Sequence, residues 1–233
     1  MMPKRINIHI LFTVICLIAV IIFFEFTSLD LYVENYFYQM NTHTWILNRN
    51  DAFTKFIFYI EIKKILIFFA IATLFSLIFF RKNEFIKKHK KGLMIFLLSS
   101  MVVPLAIGSL KYITDTPCPK NLKYYGGTYP DVKVLESYPK DFIHKNRVKC
   151  WPAGHASGGF ALMALFFLFN KRKNKIIALG FGLFIGWSMG LYKMLIGDHF
   201  LSHTIVTMLL AWLIILIIAK IFQRKENEKS TQI

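Results

Sequence analysis

The sequence predicts an all-α, polytopic membrane protein whose transmembrane helices form a six-helix bundle. Hydrophobic residues make up 55% of the 233-residue chain, more than the roughly 45–50% usual in soluble domains. They are concentrated in long runs, and the Lys and Arg residues behind the net charge of +16 cluster between these runs. Membrane topology explains that pattern more simply than nucleic-acid binding does.

Six apolar runs approach the roughly 20 residues that a helix needs to cross a bilayer. They cover residues 8–26, 62–80, 93–110, 153–169, 176–192 and 200–222. The fourth is short unless it begins near Pro152. The first is interpreted as a retained span, because FFEFTSLD has no small-x-small cleavage site. We see no internal repeat, so residues 1–233 are expected to form one membrane domain.

The connecting segments predict the orientation of the chain. The N-terminus, residues 81–91, residues 171–175 and the tail QRKENEK are all rich in Lys and Arg. With six crossings they fall on one side, which the positive-inside rule assigns to the cytoplasm. Both termini are then cytoplasmic, and residues 27–61, 112–153 and the turn near Gly197 face outward. Aromatic and charged residues alternate in 27–61, which suits either interfacial helices or an ordinary loop.

Polar residues from three separate segments are predicted to meet at the outer face. Lys111 ends the third run, His155 opens the fourth, and Lys193, Asp198 and His199 lie between the last two. Each alone has an ordinary interpretation, since a lysine can be a snorkelling anchor and a histidine an interfacial residue. Together they predict a shared site, because ionisable residues at membrane depth are costly and often functional.

Two lysines and two histidines suit phosphoryl transfer. The cations bind the non-bridging oxygens and neutralise developing charge. One imidazole can attack phosphorus, and the other can protonate the leaving oxygen. The turn PAGHASGG at a helix N-terminus adds backbone N–H groups for an anion. No carboxylate-rich metal cage is visible in the sequence, so neither a metal nor another cofactor is expected.

These residues resemble the type 2 phosphatidic acid phosphatase (PAP2) superfamily, whose pattern is K-x6-RP, then PSGH, then SR-x5-H-x3-D. The corresponding blocks here are KYITDTPCP, PAGH and YKMLIGDHFLSH. They occur in the same order and with the family's internal spacings. The blocks cover about 25 positions, and the six-span plan extends the resemblance to nearly the whole chain. The variant motifs suggest a bacterial inner-membrane subgroup.

The resemblance implies three catalytic residues. His199 would be the nucleophile and His155 the general acid. His203 stands where the family has an Asp that orients the nucleophile, and a neutral His203 could accept a hydrogen bond from His199. It would stabilise the imidazolium less well than a carboxylate. Asp198 is a possible substitute, although on a regular helix it would point away.

The resemblance also implies a phosphate-binding set. Lys111 and Lys193 would hold phosphate oxygens, Lys193 standing in the place of an Arg, without its bidentate fork. Gly154 and Ala153 would offer backbone donors, and Ala153 replaces the family's Ser. Cys118 occupies the position of a second phosphate-binding Arg.

The cysteines suggest a further expectation. Cys118 and Cys150 both lie in the outer segment 112–153, each near a motif. If this side is a periplasm, a disulfide is permitted there, and closing its loop of about 30 residues would stabilise the fold by roughly 3 kcal/mol. The alternative is two unrelated free thiols. If the bond exists, Arg147 or Lys149, next to Cys150, could supply the positive charge that Cys118 does not.

The function implied is a lipid phosphatase of the bacterial inner membrane, with its site facing the periplasm. Candidate substrates are a polyprenyl diphosphate, phosphatidic acid, phosphatidylglycerol phosphate and lipid A. Transfer of the phosphate to a second lipid would use the same first half-reaction. A non-catalytic lipid-phosphate-binding protein would need the cations but neither histidine. A channel or transporter would show polar residues inside several runs, and the first, second and sixth runs have almost none. No nucleic-acid partner is expected, and the sequence leaves the oligomeric state open.

Overall fold

The computed structural model describes residues 3–143 and 147–231. It is mostly helical. The long helices are α1 (Pro3–Glu25), α4 (Ile62–Phe79), α5 (Glu84–Ile113), α7 (Arg172–Leu195) and α8 (Leu201–Thr231). Shorter helices are α2 (Leu29–Glu34), α3 (Ala52–Lys55) and α6 (Gly154–Ala161). A π-helix, Phe56–Glu61, joins α3 to α4, and the 3₁₀ helix Leu162–Leu168 extends α6.

Among the described residues, five helices are long and apolar enough to cross a membrane. The predicted count of six is therefore not confirmed. The fourth apolar run, already short in the sequence, forms only the shorter piece Gly154–Leu168. Its first part, α6, is largely buried because it packs against α5, α7 and α8.

Close helix contacts place α6 at the centre of the bundle. Gly159 of α6 meets Gly186 of α7, and a Cβ on Gly159 would lie 2.7 Å from the Gly186 Cα. Phe160 beside it is fully buried. Glycine at this crossing lets the two backbones approach directly. The position of α6, and of whatever its first turn carries, is therefore fixed by α7.

The outer segment 27–61 combines short helices with a small ribbon. It contains α2, the two-stranded antiparallel ribbon of β1 (Tyr38–Gln39) and β2 (Thr44–Trp45), and α3. Tyr38 and Trp45 pack against Tyr125 in a small aromatic cluster. Tyr125 belongs to the second of two short 3₁₀ helices, Pro119–Asn121 and Lys123–Tyr125. The outer segments therefore pack on one another above the helix ends.

Candidate functional site

Four helix ends converge beneath these outer segments. Lys111 lies in the last turn of α5, His155 in the first turn of α6, and Lys193 in the last turn of α7. His199 lies two residues before the start of α8. The Lys111 side chain lies against Gly154, where a Cβ would be 3.1 Å from the lysine Cδ. The structure thus brings together the residues that the motif blocks predicted.

His199 and His203 form a buried pair. Their side chains are 3% and 2% exposed, and their Nδ1 atoms lie 3.4 Å apart. The His203 ring also hydrogen bonds to the main chain of Cys150. Because the Cys150 N–H already donates to Thr116 O, the group that meets His203 is the Cys150 carbonyl, which can only accept.

One pair of neutral tautomers satisfies both contacts. A neutral imidazole has one donor and one acceptor nitrogen. If His203 donates from Nε2 to the Cys150 carbonyl, its Nδ1 is the acceptor for the His199 Nδ1–H. The Nε2 atom of His199 is then unprotonated and available for nucleophilic attack. A neutral His203 that is hydrogen bonded to a carbonyl can therefore orient His199. This is the role that was predicted for His203 in place of the family's Asp.

The electrostatic surroundings keep His199 neutral. Burial, reinforced by His203 and Lys111, lowers the pKa of His199 well below its usual value near 6.5. At neutral pH the ring is therefore an uncharged nucleophile without needing a general base to deprotonate it.

A cluster of cations surrounds Asp198. Its carboxylate lies 2.9 Å from Lys193 Nζ, 2.6 Å from Lys120 Nζ and 3.6 Å from an Arg49 guanidinium nitrogen. Burial alone would raise the pKa of Asp198, but Lys193 and Lys120 outweigh it and hold that pKa below its usual value. Asp198 is thus an ionised anchor for the lysines rather than an orienting group for His199.

Lys120 and Arg49 were not predicted from the sequence. Lys120 comes two positions after Cys118, where the family pattern has an Arg, so a basic residue beside that position was the available signal. Its N–H donates to the Gly197 carbonyl at 3.0 Å, which holds the 3₁₀ turn against the nucleophile's turn. Arg49 comes from the outer segment after β2, and its distant position in the chain gave no such signal.

Three groups that were predicted to bind phosphate have other hydrogen-bond or ring partners in the structure. Arg147 donates to the Ile113 carbonyl at 2.8 Å, and Lys149 lies 3.9 Å over the Tyr112 ring. Both side chains are exposed. The Ala153 N–H donates to Thr207 Oγ1 at 2.8 Å, which ties α6 to α8. In this arrangement Lys120, and neither Arg147 nor Lys149, lies beside Asp198 and Lys193.

Cys118 and Cys150 are joined by a disulfide, with Cα atoms 5.3 Å apart. The bond links the 3₁₀ turn that carries Lys120 to the carbonyl that orients His203. It therefore connects two parts of the site as well as two loops.

Removing the disulfide is expected to lower both stability and activity. In Cys118→Ser/Cys150→Ser, the free energy of unfolding should fall by about 3 kcal/mol through lost loop closure, and the turns that place Lys120 and the Cys150 carbonyl should loosen. Thermal unfolding and phosphate release by the double variant would be measured beside Cys16→Ser, which keeps the bond. Equal behaviour of both proteins would contradict the expectation.

The turn that presents His199 depends on Gly197. This residue has φ +70°, and a Cβ there would lie 2.3 Å from the Trp45 indole. Its N–H donates to Met194 O, and the Asp198 N–H donates to Lys193 O. Glycine therefore reverses the chain between α7 and α8 while the outer ribbon packs directly on its backbone.

Gly197→Ala is expected to lower the free energy of unfolding by at least about 1 kcal/mol, because an alanine is strained at positive φ and its Cβ would collide with Trp45. Activity should fall with it as His199 is displaced. The control is Gly108→Ala, since a Cβ at Gly108 meets nothing within 4 Å. Melting temperatures and turnover of the two variants would be compared. A Gly197 variant that melts like the Gly108 variant would disprove the strain.

An apolar cavity of about 630 Å³ opens beside the site. Its walls come mainly from apolar residues of α4, α5 and α6, and Lys63, Lys111 and His155 also line it. The cavity can hold hydrocarbon next to His155, the candidate general acid, and Lys111, a candidate phosphate-binding residue. No group of three or more His, Cys, Asp or Glu within residues 3–143 and 147–231 is arranged to hold a metal ion.

Comparisons with known proteins agree with this geometry. The family model of the PAP2 superfamily matches residues 92–227, a range that contains both histidines of the buried pair, His155, Lys111 and Lys193. A lipid A 4'-phosphatase of Francisella tularensis subsp. novicida (strain U112) is 25% identical over 228 residues, covering 94% of this chain and 97% of that protein. No solved structure matches. The match to more than half of the chain, on the segment that builds the site, shows that this membrane protein belongs to the PAP2 superfamily.

Proposed function

We propose that the protein is a metal-independent phosphatase that removes phosphate from a membrane lipid through a phosphohistidine on His199. The observation that carries the proposal is the buried, neutral His199, oriented by His203 and placed beside Lys193 and Lys111. Family membership and the lipid A 4'-phosphatase relative support lipid phosphate as the substrate class.

The reaction would proceed in two half-reactions. His199 Nε2 attacks phosphorus, the bond from phosphorus to the lipid oxygen breaks, and His155, entering the reaction as an imidazolium, donates its proton to that oxygen. Lys111, Lys193 and Lys120 balance the charge on the non-bridging oxygens. Water then attacks the phosphohistidine, His155 takes its proton, and inorganic phosphate leaves with His199 neutral again. His203 holds the His199 Nδ1–H throughout.

The apolar cavity supports an amphiphilic substrate. It lies on the side of the site where His155 protonates the leaving oxygen, so the leaving group would be the lipid. The relative's activity favours a phosphorylated glycolipid, while polyprenyl diphosphate, phosphatidic acid and phosphatidylglycerol phosphate fit the same chemistry. We further propose that the site faces the periplasm of a bacterial inner membrane. The basic segments 81–91 and 171–175 lie at the starts of α5 and α7, and the site lies at the other ends of these two helices.

Phosphate release by the purified protein tests the proposal. The assay uses detergent micelles with EDTA and offers lipid A, undecaprenyl diphosphate, phosphatidic acid and phosphatidylglycerol phosphate, with a second lipid as acceptor in a parallel arm. Release in EDTA from at least one lipid is expected. Phosphorylation of the acceptor instead would identify a phosphotransferase. Binding with neither release nor transfer would overturn the enzymatic proposal in favour of a lipid-phosphate-binding protein.

A further inference from the structure

The helix that follows the nucleophile has no N-cap of its own. α8 begins at Leu201, directly after His199 and Phe200. The first N–H groups of a helix have no partner within it and are usually met by a Ser, Thr, Asp or Asn side chain just before the helix. The side chain of Phe200, the residue just before the helix, has no nitrogen or oxygen that could accept such a hydrogen bond. The start of α8 therefore needs an acceptor from elsewhere in the chain.

Asp30 of α2 supplies this acceptor. Its Oδ1 accepts the Ser202 N–H at 2.8 Å, across 172 positions of sequence, and the carboxylate also hydrogen bonds with the Ser202 side chain. Ser202 lies next to His203 in the chain, and both residues line one small cavity with Asp30. The contact thus joins the outer segment to the residues that carry the chemistry.

The charge of Asp30 suits this position. Burial raises the pKa of Asp30 to about 6, while its bonds with Ser202 act in the opposite direction. At pH 7 to 8 the carboxylate is therefore mostly ionised, and it faces the positive end of the α8 dipole. Glu34, one turn further along α2, is buried, and burial raises its pKa to about 10, so it is protonated at that pH.

We propose that Asp30 is a positioning residue for the reaction, which caps α8 from outside the helix and so fixes His199 and His203 against the phosphate. This rests on the proposed function. A frayed first turn would move both rings, whereas Lys111 and Lys193 belong to other helices and would stay in place. Asp30 therefore acts on turnover more than on substrate binding.

Three variants test the role of Asp30. Asp30→Ala removes the acceptor and is expected to lower kcat by about 10- to 100-fold, since small displacements of reacting groups cost about that much, with KM changed less than about threefold. Asp30→Asn keeps an acceptor oxygen, and Asn caps helices as well as Asp, so kcat should return to within about threefold of the native value. The matched control is Asn83→Ala, which removes a cap of equal length, 2.8 Å to the Phe85 N–H, at the far end of α5.

Hydrogen exchange gives a readout that does not depend on turnover. Amides in the first turn of α8 should exchange faster in Asp30→Ala than in the native protein, Asp30→Asn or Asn83→Ala. Should Asp30→Ala not fold, Asp30→Leu makes the same comparison with a side chain of similar volume and no acceptor.

Three outcomes would overturn the proposal. They are a native kcat in Asp30→Ala, an Asn variant as slow as the Ala variant, and an equal loss in Asn83→Ala. If the native protein releases no phosphate from any lipid, the proposed function fails, and exchange at α8 still decides whether Asp30 holds the first turn. Unchanged exchange in Asp30→Ala would then reject the positioning role as well.

Discussion

Replacing His199 by Ala is expected to abolish phosphate release, with a fall in kcat of roughly 10⁴-fold or more. The ring is the nucleophile in the proposed reaction, so its removal leaves no group in that position to accept the phosphoryl group. His203 lies one turn further along, within α8, and is only 2% exposed. Phosphate release at saturating lipid would be measured in parallel for the native protein and the variant.

His155→Ala tests the second histidine and acts as a comparison for the first. Its loss should be larger for a lipid phosphate monoester, whose alcohol needs a proton to leave, than for a diphosphate, whose leaving phosphate needs less help. His89→Ala is the control, because that ring bonds to Phe85 O near the opposite end of α5. A His199 variant that keeps measurable turnover, with the His89 variant unchanged, would remove His199 from the nucleophile's role.

The length of the apolar runs was sufficient to predict most of the long helices. Runs 8–26, 62–80, 93–110, 176–192 and 200–222 all lie largely within long helices, because a continuous apolar run of that length is stable only as a helix in lipid. The fourth run, 153–169, was also predicted as a span, but it forms only the shorter helical piece Gly154–Leu168. The ribbon of Tyr38–Gln39 and Thr44–Trp45 was missed, since strands of two residues leave no period in a sequence.

The site could be predicted where its residues lie inside motif blocks. Spacing within KYITDTPCP, PAGH and YKMLIGDHFLSH located Lys111, His155, Lys193, His199 and His203. The contributions of Arg49 and Asp30 could not be predicted, because they come from the outer segment and meet the site only through tertiary packing. Arg147 and Lys149 were predicted from their place near Cys150, but sequence distance does not give side-chain direction, and the two side chains contact the Ile113 carbonyl and the Tyr112 ring.

Replacing the cations around Asp198 is expected to have the second largest effect. Lys193→Met should lower kcat/KM by about 10²- to 10³-fold, the usual loss for one group that stabilises transition-state charge. The Lys193 side chain is only 8% exposed and is paired with Asp198 at 2.9 Å, so its removal also leaves a buried carboxylate with less compensation. Kinetics on the preferred lipid, with folding checked by thermal unfolding, would measure the change.

Lys120→Met decides which residue supplies the charge that Cys118 does not. Lys120 reaches Asp198 at 2.6 Å and is 27% exposed, so it lies at the mouth of the site, and its loss should lower kcat/KM by about tenfold or more. Lys149→Met, beside the other half of the disulfide, should change it less, because that ammonium lies over the Tyr112 ring. Lys123→Met, on the neighbouring turn and exposed, is the control. If Lys149→Met were the more damaging variant, the phosphate would be bound on the Tyr112 side of the disulfide, and the cluster around Asp198 would be structural.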